Sequence, residues 1–194
     1  IDQYTVELPA PAEGYSVFYD GTEVTAPKSV LTDNGAKVSF EVVIAEGYSP
    51  KNMNVVFGNV ALGYISLSGN TYTYETPIIT SDGVIEVRGV EEITFPITLN
   101  KGTGFTVSPA NQIVSYNKTL EFKVTLDDAY ALTAPTVYVD GNSITGVKNG
   151  NEYTYTVNNI ISQPMISVSA TKNPQHTAIF VSGGSVYTFS TVED

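Results

Sequence analysis

The chain has 194 residues, a net charge of −11 and an apolar fraction of 42%, with a mean hydropathy of +0.01. These values are typical of a globular chain with enough residues for one large or two small domains. Lysine and arginine together number only 9 and form no cluster. This excludes a nucleic-acid partner, because the phosphate backbone is bound by clustered positive charge. There are no cysteines, so disulfides and thiol chemistry are also excluded.

The acidic residues are concentrated in the first part of the chain. Residues 1–92 carry 13 acidic and 4 basic side chains, a net charge of −9, whereas residues 93–174 carry 5 of each. We interpret the acidity as favouring solubility outside a cell, and the absence of cysteine fits an exported bacterial protein. The sequence contains no signal peptide or membrane-spanning run. We therefore expect an extracellular or cell-surface location and no membrane insertion in this fragment, which we take to be excised from a longer protein.

The residue types and their spacing predict an all-β protein. Apolar residues alternate with other residues in 38–44 (VSFEVVI) and in 120–126 (LEFKVTL), as in strands with one buried face. Turn-forming pairs such as Asp140-Gly141 separate these runs. No window has a sustained helical period.

An internal repeat organises the chain. Three groups of residues recur in the same order at nearly constant offsets, which is the mark of two homologous units. The matches are 69–74 (GNTYTY) with 150–155 (GNEYTY) at an offset of 81, 38–48 with 120–130 at an offset of 82, and 14–17 (GYSV) with 104–107 (GFTV) at an offset of 90.

Each unit contains roughly six or seven short predicted strands separated by turn residues. We therefore predict two tandem immunoglobulin-like β-sandwich domains, residues 1–92 and 93–174, followed by a short β tail at residues 175–194. The cysteine and tryptophan residues of antibody cores are absent, so the likeness to antibodies is one of architecture.

The motifs of each unit resemble those of tandem immunoglobulin-like repeats in bacterial cell-surface and secreted proteins. The matching residues are Gly14-Tyr15, Gly47-Tyr48, Tyr72-Thr73, Gly104-Phe105, Ala129-Tyr130, 135–141 and Tyr153-Thr154. The tail, with Gly183-Gly184 and 191–194 (TVED), resembles the opening hairpin of a Listeria–Bacteroides (internalin B-type) repeat, and 175–194 would then be the truncated start of a further repeat. Both resemblances imply a multidomain exported protein in which such modules serve as stalks or adhesive units.

Residues suited to catalysis are scarce. The single histidine, His176, lies at the start of a predicted tail strand, and we interpret it as a surface residue. The carboxylate pairs Glu91-Glu92 and Asp127-Asp128 lie at predicted strand ends and point in different directions. No Asp-x-Asp-x-Asp-Gly calcium loop is present. We expect no catalytic residues, no cofactor and no metal site, with calcium near the junction of the units left as an open alternative.

The tyrosines leave one functional alternative. The chain has 13 tyrosines and 8 phenylalanines but no tryptophan. Tyr72 with Tyr74, and Tyr153 with Tyr155, have the two-residue spacing that places rings on one face of a strand, where exposed rings stack on sugars. The competing interpretation, which we favour, is that this face is buried, because a core position must be filled in both copies.

From these observations we predict a non-catalytic structural or adhesive module, a stalk or spacer, of a bacterial cell-surface or secreted multidomain protein. The alternative is a carbohydrate-binding module that uses the four tyrosines. The expected partner is an extracellular protein or a glycan, and the chain is expected to be a monomer.

Overall fold

The computed structural model describes residues 2–182 and 184–192. The chain divides into two compact units, Ile1–Ile93 (unit 1) and Thr94–Asp194 (unit 2). The predicted all-β class is confirmed, because the described residues form strands, turns and loops, with a three-residue 3-10 turn, η1 (Asp128–Tyr130), as their sole helical element. In this described part of the chain, no helix has the length and apolar character needed to cross a membrane.

Unit 1 is a β-sandwich of two five-stranded sheets. Its strands are β1 (Gln3–Leu8), β2 (Tyr15–Tyr19), β3 (Thr22–Glu23), β4 (Lys28–Asp33), β5 (Ser39–Ile44), β6 (Tyr48–Ser49), β7 (Asn54–Phe57), β8 (Val60–Leu62), β9 (Tyr64–Ser68), β10 (Thr71–Glu75), β11 (Gly83–Arg88) and β12 (Glu91–Glu92). One sheet has the order β4-β1-β11-β7-β8 and the other has the order β3-β2-β5-β10-β9, while β12 pairs with β6.

The core of unit 1 is built from alternate residues of both sheets. Val6 on β1 and Ile85 on β11 are fully buried, and they share one cluster with Phe40 and Val42 on β5. Because successive side chains of a strand point to opposite faces, the alternation read in 38–44 becomes one buried face. The burial of these apolar side chains from both sheets is the main favourable term holding the sandwich together.

Unit 2 contains the same kind of core with more, smaller sheets. Its strands are β13 (Thr94–Thr98), β14 (Phe105–Ser108), β15 (Asn111–Ser115), β16 (Lys118–Leu126), β17 (Thr136–Val139), β18 (Asn142–Ile144), β19 (Val147–Asn149), β20 (Glu152–Ile160), β21 (Ile166–Ser169), β22 (Gln175–Ser182) and β23 (Ser185–Val192). The sheet orders are β14-β16-β20-β19, β18-β17-β21, β13-β15 and β22-β23.

The hairpin predicted from the Asp140-Gly141 turn is present. Asp140 and Gly141 join β17 to β18 with φ angles of 50° and 80°, the left-handed conformation that Asp-Gly favours in a two-residue hairpin turn. In the tail, β22 pairs with β23 in one antiparallel ladder.

The repeat predicted from sequence corresponds to the same pair of central strands in each unit. Phe40 on β5 lies opposite Tyr74 on β10, and Phe122 on β16 lies opposite Tyr155 on β20. The ring centroids are 5.6 Å apart in unit 1 and 5.3 Å apart in unit 2, and the rings are nearly parallel in both. Such pairs add about 0.5–1.5 kcal/mol beyond the burial of their area.

A glycine and an aromatic ring also meet in each unit. Gly14 has a φ of +93°, and a Cβ placed on it would lie 2.5 Å from the ring of Tyr48. Gly104 has a φ of +80°, and its Cβ would lie 2.3 Å from the ring of Tyr130. Only glycine provides both the left-handed backbone and the room for the ring, which explains why the repeat retains it.

We expect Gly104→Ala to destabilise unit 2 more than Gly141→Ala does. Both residues have a φ of +80°, but no atom lies within 4 Å of a Cβ at Gly141. The strain at positive φ is therefore common to both variants, and the displacement of the Tyr130 ring adds about 1–3 kcal/mol at Gly104 alone. Chemical denaturation measures the difference, and equal losses in the two variants would contradict the contact.

Candidate functional site

The four tyrosines considered for sugar stacking lie on the core-facing side of β10 and β20. Tyr74, Tyr153 and Tyr155 are 3%, 5% and 1% exposed, and the ring of Tyr155 stacks inside the core as described above. The fourth, Tyr72, is partly buried and packs against the core of unit 1. Their two-residue spacing therefore places them on one face, and Tyr72 alone of the four keeps an appreciable exposed area.

Burial changes the acidity of the core phenols. The pKa of Tyr74 is raised from 10.0 to about 12, mainly because burial disfavours the charged phenolate, with smaller contributions from Tyr72 and Tyr64. Burial likewise raises the pKa of Tyr155, whose hydroxyl donates a hydrogen bond to the carbonyl of Pro135 at 3.2 Å. These hydroxyls therefore stay protonated at neutral pH.

One recess in unit 1 is bordered by partly exposed rings. It encloses about 390 Å³ and is lined by the loop after β5, by Tyr48 and by the turn at Asn70 and Tyr72. The Tyr48 hydroxyl donates a hydrogen bond to the Glu13 carboxylate at 2.8 Å. This hydrogen bond is the largest of the contributions that raise the pKa of Tyr48. Asn70 donates its amide to the Ile44 carbonyl at 2.6 Å, which fixes the turn beside the two rings.

Two of the four carboxylates considered for catalysis or calcium, Glu91 and Asp128, are held in hydrogen bonds. Glu91 accepts a hydrogen bond from Asn52 at 3.2 Å, and Asp128 accepts one from Asn151 at 2.9 Å. Among the described residues, no group of three or more His, Cys, Asp or Glu side chains could hold a metal ion. The side chain of His176 lies outside the residues whose placement is described.

The two units differ in whether the first strand pairs with a later strand of the same unit, β11 in unit 1 or β21 in unit 2. In unit 1, β1 pairs in parallel with β11, with Val6 opposite Gly83. In unit 2 the corresponding strands, β13 and β21, belong to separate sheets. A groove of about 460 Å³ lies between β21 and the segment that follows β13, and it is lined by residues 98–103, Phe105 and 166–170. The strand pattern and the turn residues of the sequence do not predict this groove.

Substitutions at the start of the pairing account for this difference. In unit 1 the Thr5 N–H donates to the Asp82 carboxylate at 2.7 Å. In unit 2 the corresponding position is Pro96, because the buried Ile97 that follows it matches the buried Val6 that follows Thr5. Pro96 has no N–H to donate. Gln163, which the offset of 81 aligns with Asp82, instead donates its side-chain amide to the Pro96 carbonyl at 2.8 Å. Pro164 follows directly and removes a second backbone donor. These two prolines are the signal by which sequence could have located the groove.

The burial of Tyr74 leads us to expect a loss of stability in alkali. Since its pKa in the folded state, about 12, exceeds the ordinary value of 10.0, its contribution is constant below pH 10 and is lost as pH rises towards 12. Tyr74→Phe should therefore reduce the fall in unfolding free energy between pH 10 and 12. Urea denaturation of this variant and of Tyr138→Phe, a partly exposed control, measures the effect, and identical pH slopes would contradict it.

Comparison with protein-family models, with curated proteins and with solved structures finds no match to this chain.

Proposed function

We propose that this chain is a non-catalytic structural module, a stalk or spacer, of a bacterial cell-surface or secreted multidomain protein. We propose further that its two units are tandem immunoglobulin-like domains and that the chain works outside the cell as a monomer. The proposal is supported by two self-contained β cores and by acidic residues that are engaged in turns and hydrogen bonds.

The observation that carries the proposal is the parallel pairing of β1 with β11 in unit 1. β1 is the first strand of unit 1, and β11 is the last strand of its two five-stranded sheets. In a parallel pair, the start of one strand and the end of the other lie at opposite ends of the ladder. Tension applied to the two ends of unit 1 therefore loads the hydrogen bonds of this pair together, in shear, instead of one after another.

The position of Glu7 makes this pairing testable. The Asn34 N–H donates to the Asp2 carbonyl at 2.9 Å, so even-numbered residues of β1 form the ladder to β4. Because the two edges of a strand are used by alternate residues, the backbone N–H of Glu7 faces β11. Its side chain is exposed, so a substitution there acts mainly through the backbone.

We expect Glu7→Pro to lower the force at which unit 1 unfolds, because it removes one bond of the parallel ladder while leaving the β4 ladder in place. Glu7→Ala keeps the N–H and is the matched control. Single-molecule stretching of the full chain measures both. Insertion of ten glycine and serine residues after Gly21, in an exposed turn, lengthens the unit 1 event by about 35 Å and so identifies it.

In the unaltered chain, the event assigned to unit 1 should occur at a higher force than the event of unit 2, in which β13 and β21 are not paired. If Glu7→Pro and Glu7→Ala gave equal forces, or if unit 2 were the more resistant, the parallel pair would not be the mechanical element and the stalk proposal would lose its support.

Binding of a glycan is the second candidate function, favoured by the recess between Tyr48 and Tyr72. Two partly exposed rings beside an amide suit one sugar ring, which stacks its apolar face on aromatic surface. We expect any glycan retained on an array by the full chain to be lost with Tyr72→Ala and retained with Tyr138→Ala. An array on which the unaltered chain binds nothing would eliminate this candidate.

A further inference from the structure

We propose that the groove between β21 and residues 98–103 of unit 2 binds an extended peptide strand with a carboxylate at its C-terminal end. The strand would enter by β-augmentation, in which backbone hydrogen bonds to an open sheet edge provide affinity. This inference goes beyond the stalk function and is independent of it, because it concerns unit 2 and the stalk proposal depends on β1 and β11 of unit 1.

The first wall of the groove is the open edge of β21. The Met165 carbonyl accepts a hydrogen bond from the Asp140 N–H at 2.8 Å, so Met165 and every second residue after it form the ladder to β17. By the alternation of an antiparallel ladder, Ile166 and Val168 direct their backbone N–H and C=O groups away from β17 and into the groove. Within the described part of the chain, no strand pairs with this edge.

The second wall is Thr98, the last residue of β13, together with the segment 99–103 that follows it. The Leu99 N–H donates to the Ala110 carbonyl at 2.7 Å, so odd-numbered residues of β13 form the ladder to β15. Thr98 therefore directs its backbone groups towards β21. A strand lying in the groove would pair along the edge of β21 and meet the backbone groups of Thr98 near one end. Unpaired edges such as that of β21 are templates for pairing with another chain.

Unit 1 supplies an internal comparison at the start of the groove. There β1 pairs with β11, with Val6 opposite Gly83 and Glu7 opposite Val84, and the corresponding residues of unit 2, 97–98 and 164–165, lie where the two lined segments begin. In unit 2, Pro96 and Pro164 lack the N–H groups that a matching parallel ladder would use, and Gln163 donates to the Pro96 carbonyl beside the groove. β13 and β21 therefore stay unpaired, and the lined volume of about 460 Å³ follows this contact.

The lining indicates which peptide suits the groove. Buried Leu99 and Phe105 form part of the apolar floor, and Lys101 is the one charged side chain among the described residues that line it. Lys101 follows the C-terminal end of β13. A peptide that runs parallel to β13 and β21, as β1 runs to β11 in unit 1, would bring its C-terminal end to this lysine. A carboxylate there complements the charge.

The probe is a peptide with the sequence of β1, QYTVEL, labelled at its N-terminus and carrying a free C-terminal carboxylate. Its binding to the full chain is followed by fluorescence anisotropy. We expect saturable binding with one peptide per chain. A peptide with a C-terminal amide and Gln in place of Glu should bind about threefold more weakly, because it lacks the negative charges. A peptide that is N-methylated at alternate residues should bind more weakly by about fivefold or more, because it cannot donate hydrogen bonds along one edge.

The decisive variant gives unit 2 the residues of unit 1 at the blocked positions: Pro96→Thr, Gln163→Asp and Pro164→Gly. We expect β13 to pair with β21 in this variant, which draws the walls together at the start of the groove and weakens binding of the peptide, with an unchanged β circular dichroism spectrum as the check on folding. Should that variant not fold, Lys101→Glu must weaken the free-carboxylate peptide while Lys118→Glu, which changes an exposed lysine on β16 outside the groove, must not.

Three outcomes would overturn the proposal. The first is no binding at millimolar peptide, and the second is equal binding by the unaltered chain and by the folded triple variant. The third is reversible self-association of the chain, seen in sedimentation and abolished by the triple variant, which would assign the groove to a second copy. None of these results bears on the unfolding force of unit 1, so failure here and failure of the stalk proposal are distinguishable.

Discussion

The contact between a phenylalanine and a tyrosine on neighbouring antiparallel strands organises both units. In unit 1 this pair is Phe40 with Tyr74, and in unit 2 it is Phe122 with Tyr155. A shift of one residue in either ladder would turn the tyrosine, and every second side chain with it, out of the core. The stacked pair therefore specifies the register of the central strands. The remaining strands, and the contact between Gly104 and the Tyr130 ring, are arranged around them.

The same core supports two different edges. In unit 1 the first strand closes the sheet by pairing with β11, whereas in unit 2 the prolines at 96 and 164 prevent the equivalent closure. Loss of a few backbone donors is tolerated because the apolar core beneath, including Ile97 and Leu99, stays buried. The two copies therefore keep the same kind of buried core although their edges differ.

The tyrosines show what the spacing of residues predicts about a site and what it does not predict. The recurrence of Tyr155 at the place of Tyr74 favoured a core role, and both side chains are buried. The different environment of Tyr72, which borders a recess with Tyr48, was not readable from spacing. Both positions on β10 share one face, but Tyr74 stacks on Phe40 within the core whereas Tyr72 borders the recess.

By itself, the sequence determined the β class, the repeat, the alternating strands such as 38–44 and the Asp140-Gly141 turn. These properties are local or periodic, and each follows from side-chain type and spacing. Only the tertiary structure decided that β1 pairs with β11 and that β13 does not pair with β21. Those strands lie far apart along the chain, and an apolar pattern does not show which backbone N–H groups will face one another. Pro96 and Pro164 are visible in the sequence, but their effect depends on their meeting across the same edge, which the fold alone brings about.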